Sequence, residues 1–297
     1  MIELVGLDSD KTLVHFAAHA RRLGVDTRFV NLREVAAGAW RLAIPDDGGS
    51  WLRAGDRTFA LDPESSYYCR LIDLSTVLGS VEEAAAFRGM VAALNSWLEH
   101  IPGTVVNRPG AYSDNFSKPL HEATLASLGF DVPTSLTSSD GGKLGTFADA
   151  APTIVKPVSG ALSTSRLVEG DEFRAFDRRR GPVHLQRYVH GVDVRVHAIG
   201  SKVVAQTIAT SNIDYRAHAR AGNFSTCALP EQLRVRIVEA SQLFGLTFTG
   251  WDFKVDDANK YWCLEANPMP GYNYYDRHAG YGITEALAEA LSRPEDR

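Results

Sequence analysis

Trp251-Asp252-Phe253-Lys254-Val255 and Tyr261-Trp262-Cys263-Leu264-Glu265 read as two short strands, joined across Asp256-Asp257-Ala258-Asn259. A register that pairs Val255 with Trp262 puts Asp252 opposite Glu265, and cross-strand Cβ atoms stand roughly 5 Å apart. Asn267 lies two residues beyond Glu265 and so faces the same side. Two carboxylates and an amide oxygen then converge. Like charges this close repel unless something neutralises them. A divalent cation does so, and Mg²⁺ favours one or two carboxylates completed by substrate phosphates over an all-protein cage. The hairpin therefore points to a nucleotide. The plainer alternative is an exposed hairpin with acids on its wet face.

Upstream, Val192 to Ile199 and Lys202 to Ile208 alternate cleanly around Gly200-Ser201, a two-residue hairpin turn. A helix is predicted from Glu231 to Phe244, ending at Gly245, and another from Thr284 to Leu291. Ile154-Val155-Lys156-Pro157 and Arg166-Leu167-Val168 are strand-like and flank a Ser/Gly loop. A helix from Ser117 to Leu128 stops at Gly129. The start of the chain reads differently. Ile2 to Leu7 is a strand rather than a signal peptide. Thr12 to Leu23 is a helix with Leu13, Phe16, Ala17, Ala20 and Leu23 on one face, and Thr27 to Val30 is a second strand. That order is a βαβ unit with a parallel sheet. Residues 41–66 are rich in Asp, Gly, Pro and Ser and suggest a hairpin or irregular insertion. Val81 to Glu99 repeats Ala84, Phe87, Val91, Leu94 and Leu98 at helical spacing, before a short strand at Val105-Val106. A boundary is expected near residue 110.

Composition narrows the class. With 297 residues, 44% of them apolar and 23% charged, the chain suits a folded enzyme of two or three lobes. No run approaches the roughly 20 apolar residues that span a bilayer. Lys plus Arg is 31 and Asp plus Glu is 36, a net charge of −5. Nothing there attracts nucleic acid, and a highly acidic partner is disfavoured. Arg178-Arg179-Arg180 reads as a solvated turn. Three dispersed cysteines, Cys69, Cys227 and Cys263, suggest neither a disulfide framework nor a zinc site, and fit a reducing cytoplasm.

Taken in order, several segments resemble the ATP-grasp superfamily, and within it the RimK-like branch that includes the graspetide (microviridin-type) peptide ligases. These are Lys118-Pro119-Leu120 with Leu128 to Thr134, the Ile154–Pro157 strand, Gln186 to Val196, Asp214-Tyr215-Arg216, and Gly250 to Phe253 with Leu264 to Pro268. The resemblance covers about residues 107–292. It implies an α/β (α+β) ATP-grasp fold with an N-terminal α/β domain over 1–110, a central lobe over 111–190 and a C-terminal lobe over 191–297. It further implies that Lys118 and Lys156 hold ATP phosphates, as compact ammonium groups suit that task. Gln186 and the main chain of Tyr188 and Val189 would meet the adenine, and Asp193 the ribose. Arg195 and Arg216 would be catalytic, neutralising the transferring phosphoryl group. Asp252, Glu265 and Asn267 would hold Mg²⁺, with Mn²⁺ as a substitute. Two departures stand out. The loop Val158 to Ser165 carries one glycine where many relatives have several, and Arg187 stands where several carry an acid.

Other candidates carry less. His184, His190 and His197 lack metal-ligand spacing. The run Gly271 to Asp276 is either core packing or an acceptor-side wall, and Tyr67-Tyr68-Cys69-Arg70 is a second candidate for that wall. The expectation is an ADP-forming carboxylate–amine ligase working through an acyl phosphate on an amino acid or peptide. An ester product is equally compatible, as is a homodimer, and no membrane or nucleic-acid partner is expected. The competing readings are an ATP-grasp kinase acting on a hydroxyl and a nucleotide-binding module without turnover.

Overall fold

A computed structural model describes residues 1–292 except 37, 46, 48, 73, 75–77, 112–116, 159–164 and 210–222. The first strand, β1 (Ile2–Gly6), is buried along its length and leads into α1 (Lys11–Arg22). The Asp10 side chain caps α1 by accepting from the Thr12 and Leu13 N–H groups. The helix buries Leu13, Phe16 and Ala20, as its spacing predicts, together with Thr12 and His15. Leu23 departs from expectation and is 42% exposed. The last turn ends at Arg22, and the left-handed Gly24 (φ +73°) turns the chain back, leaving Leu23 outside.

β2 (Thr27–Asn31) pairs with β1 in parallel and runs into the short α2 (Leu32–Val35). The predicted insertion is a small antiparallel sheet of β3 (Trp40–Arg41), β4 (Trp51–Ala54) and β5 (Arg57–Ala60). β6 (Ser66–Cys69), α3 (Val81–His100) and β7 (Val105–Val106) complete the first layer, with sheet order β2-β1-β6-β7. α3 buries Met90 and Trp97 besides the predicted Ala84, Phe87, Leu94 and Leu98.

α4 (Lys118–Ser127) opens the middle of the chain. There follow β8 (Ser135–Ser138), α5 (Gly141–Ala150), β9 (Thr153–Lys156), β10 (Arg166–Val168) and β11 (Val183–Arg187), an antiparallel sheet ordered β10-β9-β11-β8. The last sheet is ordered β14-β13-β12-β15-β16. It is built from β12 (Val192–Ile199), β13 (Lys202–Ala209), β14 (Asn223–Thr226), β15 (Phe248–Val255) and β16 (Tyr261–Asn267), with α6 (Glu231–Leu243) between β14 and β15. α7 (Asn273–His278) and α8 (Gly282–Ser292) close the chain. Leu4, Leu13 and Phe16 share one core cluster with Ile199, Phe248, Tyr272, Ile283 and Leu287, which joins the first sheet to the last.

The two faces of the last sheet differ because strand side chains alternate. Val194, Val196, Ala198, Trp251, Phe253 and Cys263 pack with Leu233, Ile237 and Ala240 of α6. The other face carries Asp193 opposite Lys254 and Arg195 opposite Asp252. The assumed hairpin register needs correction. Val255 pairs with Tyr261, and the turn takes in Lys260, whose carbonyl accepts from the Asp256 N–H. A bulge then offsets the error. Phe253 pairs with Cys263 while Asp252 pairs with Glu265, so Leu264 is the extra residue and the two acids still face each other.

No helix among the described residues is long and apolar enough to cross a membrane. Cys69, Cys227 and Cys263 are free thiols. Ile237 is fully buried beneath the last sheet. Ile237→Ala should therefore lower unfolding stability by about 2–5 kcal/mol, read as a reduced urea midpoint with an unchanged m-value.

Candidate active site

Charge alternates across the polar face of the last sheet. Lys254 Nζ donates to Asp193 Oδ2 at 2.9 Å, and Arg195 donates through Nη1 to Asp252 Oδ1 at 2.9 Å. Lys118 at the start of α4 reaches over and donates to Glu265 Oε1 at 3.1 Å. All six side chains lie at or below 14% exposure, so water screens these pairs weakly. Asp252 and Glu265 are thus neutralised by two cations drawn from different elements.

The donor set fits a divalent cation of the Mg²⁺ type. Two carboxylates face each other and the Asn267 amide lies two residues along the same strand, all hard oxygen ligands. Asn267 Oδ1 also accepts from the Met269 N–H at 2.9 Å, which fixes the amide plane. Among the described residues, no group of three or more His, Cys, Asp or Glu side chains could hold a metal ion. Oxygens from a bound phosphate would have to complete such a site.

Arg195 is held on three sides. Its Nε donates to His197 Nε2 at 3.3 Å, and its guanidinium carbon lies 5.6 Å from the centre of the Tyr275 ring. Gly250 leaves it room, since a Cβ there would lie 2.3 Å from Arg195 Nη2. His197 accepts that bond, so its ring is neutral. Burial, then the Arg195 charge, pushes its pKa well below the usual histidine value.

The facing wall is the β8–β11 sheet. Lys156 on β9 donates to Gln186 Oε1 at 2.7 Å, and Gln186 Nε2 donates to Glu122 Oε1 at 2.6 Å. Glu122 is the hub. It meets His184 Nε2 at 3.0 Å and accepts from the Ser135 hydroxyl, while His184 Nδ1 meets Thr137 Oγ1 at 2.8 Å. Burial pushes the Glu122 carboxyl up, but the hydrogen bond and charge of His184, the Ser135 hydroxyl and Lys156 outweigh it, and its pKa lies below the ordinary value.

Several expectations change in detail. Gln186 is fully buried, with both polar atoms engaged inside this wall. It braces Lys156. The Tyr188 N–H is already engaged by the Pro152 carbonyl, and Val189 is half-buried. Arg187 faces α5, donating to the Phe147 and Ala151 carbonyls with its guanidinium 3.8 Å from the Phe147 ring centre. Its divergence therefore lies on the far side of the strand. Tyr67 and Tyr68 are core residues, and Arg70 instead bonds Asp10 and the Pro270 carbonyl. Asp214, Tyr215, Arg216 and residues 159–164 lie outside the described residues. Glu122 and Lys254, which the sequence did not single out, join these networks, as do His184 and His197, which it weighed only for metal-ligand spacing. For His184, His197 and Lys254 the available signal was their alternation with Gln186, Arg195 and Asp252 on the same strand faces, whereas Glu122, on a helix, had none.

A family model described as the RimK-like ATP-grasp domain matches residues 121–291. Beta-citrylglutamate synthase B of Homo sapiens is 25% identical over 208 residues, covering 65% of this chain and 54% of that protein. The chain spans about half the length of the curated relatives it matches. Among solved structures, the RiPP-associated ATP-grasp ligase of Chryseobacterium gregarium, in complex with ADP and a leader and core peptide, superposes with a TM-score of 0.84 at 16% identity. That match covers 100% of this chain and 97% of that one. The ATP-grasp ligase PsnB, complexed with a phosphomimetic variant of minimal precursor, Mg and ADP, gives 0.79 at 23% identity, covering 98% and 97%. These likenesses show the ATP-grasp fold.

A depressed carboxylate pKa contributes stability that is fully present above the unfolded value, about 4.3, and is lost as pH falls through the native value. Glu122→Gln should therefore be less stable than the wild type by about 2–3 kcal/mol at pH 7. The gap should narrow on acidification below pH 4, which urea unfolding at pH 7 and pH 3 would measure.

Proposed function

The chain belongs to the RimK-like ATP-grasp family, and from that premise we propose that it is an ATP-dependent carboxylate–amine ligase acting on a peptide or amino acid. The observation that carries this reading is the opposed pair Asp252 and Glu265, each neutralised by a cation that also suits phosphate. In this reading residues 111–190 and 191–297 are two lobes around ATP, and 1–110 lies on the acceptor side.

Mg²⁺ held by Asp252, Glu265 and Asn267, with Mn²⁺ as a substitute, would supply charge neutralisation at the phosphates. Engagement of those carboxylates would free Lys118 and Arg195 to turn to phosphoryl oxygens, joined by Lys156 and Arg216. Asp193, paired with Lys254, would accept from the ribose hydroxyls, and the Tyr188–Val189 main chain would meet the base. A substrate carboxylate oxygen attacks the terminal phosphorus and ADP leaves. An amine nitrogen then attacks the acyl carbon, and phosphate departs as the amine loses a proton. A hydroxyl acceptor would give an ester by the same route. Arg195 acts where charge develops in the first step, and His197 and Tyr275 keep it aimed there. Water must be kept out, because an acyl phosphate hydrolyses.

Incubation with Mg-ATP, hydroxylamine and pooled amino acids and short peptides tests this. Substrate-dependent ADP with a trapped hydroxamate is the expected result. ADP with a phosphorylated hydroxyl and no hydroxamate would mean a kinase, and AMP as product would sink the ligase reading. Asp252→Asn and Glu265→Gln should each lower kcat/KM at least about 100-fold, equivalent to about 2.7 kcal/mol.

A further inference from the structure

α1 presents outward a face that its core side does not use. Lys11, Val14, Ala18 and Arg22 follow one another at helical spacing and, with Tyr274 and Arg277 from α7, line an open groove of about 1010 Å³. Lys11, Arg22 and Arg277 are exposed, and none has an ion-pair partner among the described residues. Asp8 is the single acid among the lining residues. The net charge of −5 disfavours an acidic partner on average, yet three cations gather against a single acid at this one concave place. Between the cations Val14, 46% exposed, and Ala18 form an apolar strip beside His15, His19 and Asn273.

We propose that this groove docks an acidic segment of the peptide substrate, at a distance from its reacting group. The inference takes the identity of the ligand from the peptide-ligase reading. Its location follows from α7. At 100° per residue, Tyr275 projects from the side of that helix opposite Asn273 and Arg277, and Tyr275 meets Arg195 while Asn273 and Arg277 line the groove. One helix therefore separates the docking groove from the polar face of the last sheet. The spacing specifies the ligand further. Lys11 and Arg22 are 11 residues apart on α1, about 16 Å along the axis. An extended peptide rises about 3.3 Å per residue and alternates its side chains between two faces, so two carboxylates four or six residues apart would share one side and meet both ends. Small apolar side chains between them would cover Val14 and Ala18. Three cations around an apolar strip suit a peptide better than the regular phosphate ladder of a nucleic acid.

Fluorescence anisotropy of a labelled peptide, Gly-Ser-Glu-Ala-Val-Ala-Glu-Gly-Gly-Ser, titrated with the full chain tests the proposal without any need for ATP. The triple reversal Lys11→Glu, Arg22→Glu, Arg277→Glu should weaken binding at least ~10-fold with an unchanged thermal midpoint. The single Arg277→Gln should weaken it about 3-fold, which guards against a misfolded triple variant. Replacing both glutamates by glutamine, or making them adjacent, should also weaken binding. Equal binding by wild type and both variants, equal binding of the glutamine peptide, or no binding at all would overturn the proposal. So would a wild-type dimer by sedimentation that the triple reversal dissociates, since the groove would then be a self-interface. Charge-dependent peptide binding with no ATP turnover on any substrate would count against the ligase reading and leave the groove standing. Turnover on peptides with binding indifferent to the three charges would do the reverse.

Discussion

Two carboxylates facing each other across a hairpin are the constraint around which the molecule is arranged. At the roughly 5 Å separation of a cross-strand pair, Asp252 and Glu265 repel by about 3 kcal/mol at an effective dielectric of about 20. Neither strand of the hairpin supplies the compensating charge. Arg195 comes from the adjacent β12 and Lys118 from a helix 147 residues away in sequence. Gly250 has no side chain, which lets the guanidinium lie against the hairpin. Electrostatic necessity thus ties the last sheet to α4, and the apolar face packed on α6 keeps the polar face from turning over.

α4 is the element that joins the two walls. Lys118 and His121 reach β16, where His121 Nε2 accepts from the Ala266 N–H at 2.9 Å. Glu122, one position on, points to the other sheet and gathers Ser135, His184 and Gln186. Gln186 in turn holds Lys156. A shift of α4 would move both lysines together, so the spacing of the two cations is set by one rigid helix rather than by two independent loops.

How much of this is legible in sequence depends on whether a residue's partner lies nearby. The hairpin at Gly200, the βαβ start and the helices ending at Gly129 and Gly245 follow from local periodicity and left-handed glycines. α5 does not, because Gly141, Gly142 and Gly145 are poor helix formers. Its signal is the single cap at Asp140. The facing of Asp252 and Glu265 came out correctly from a register that is wrong at the turn, because the bulge at Leu264 restores it, and a bulge has no local code. Glu122 looks like an ordinary surface acid on a helix. Its meaning lies with His184, 62 residues on.

α7 was hidden inside an aromatic run, and its energetics explain how a helix of six residues can hold Arg195 on one side and line a groove on the other. Tyr281 just beyond it has φ +68°, a conformation that costs a bulky residue about 1–3 kcal/mol. The buried Asp276 offsets that strain. One of its oxygens accepts from the Ile283 and Thr284 N–H groups at the start of α8, and the other from the Thr284 hydroxyl and from His15 on α1. Burial raises the Asp276 pKa, but the hydrogen bonds from His15, Thr284 and Ile283 bring it below the ordinary value. Charge-assisted bonds of this kind are the strong ones. The turn that carries Tyr281 is therefore over-determined, and α7 is fixed at its C-terminal end to both α1 and α8. Rigidity at that end is what allows Tyr275 to serve as a fixed wall against the Arg195 guanidinium.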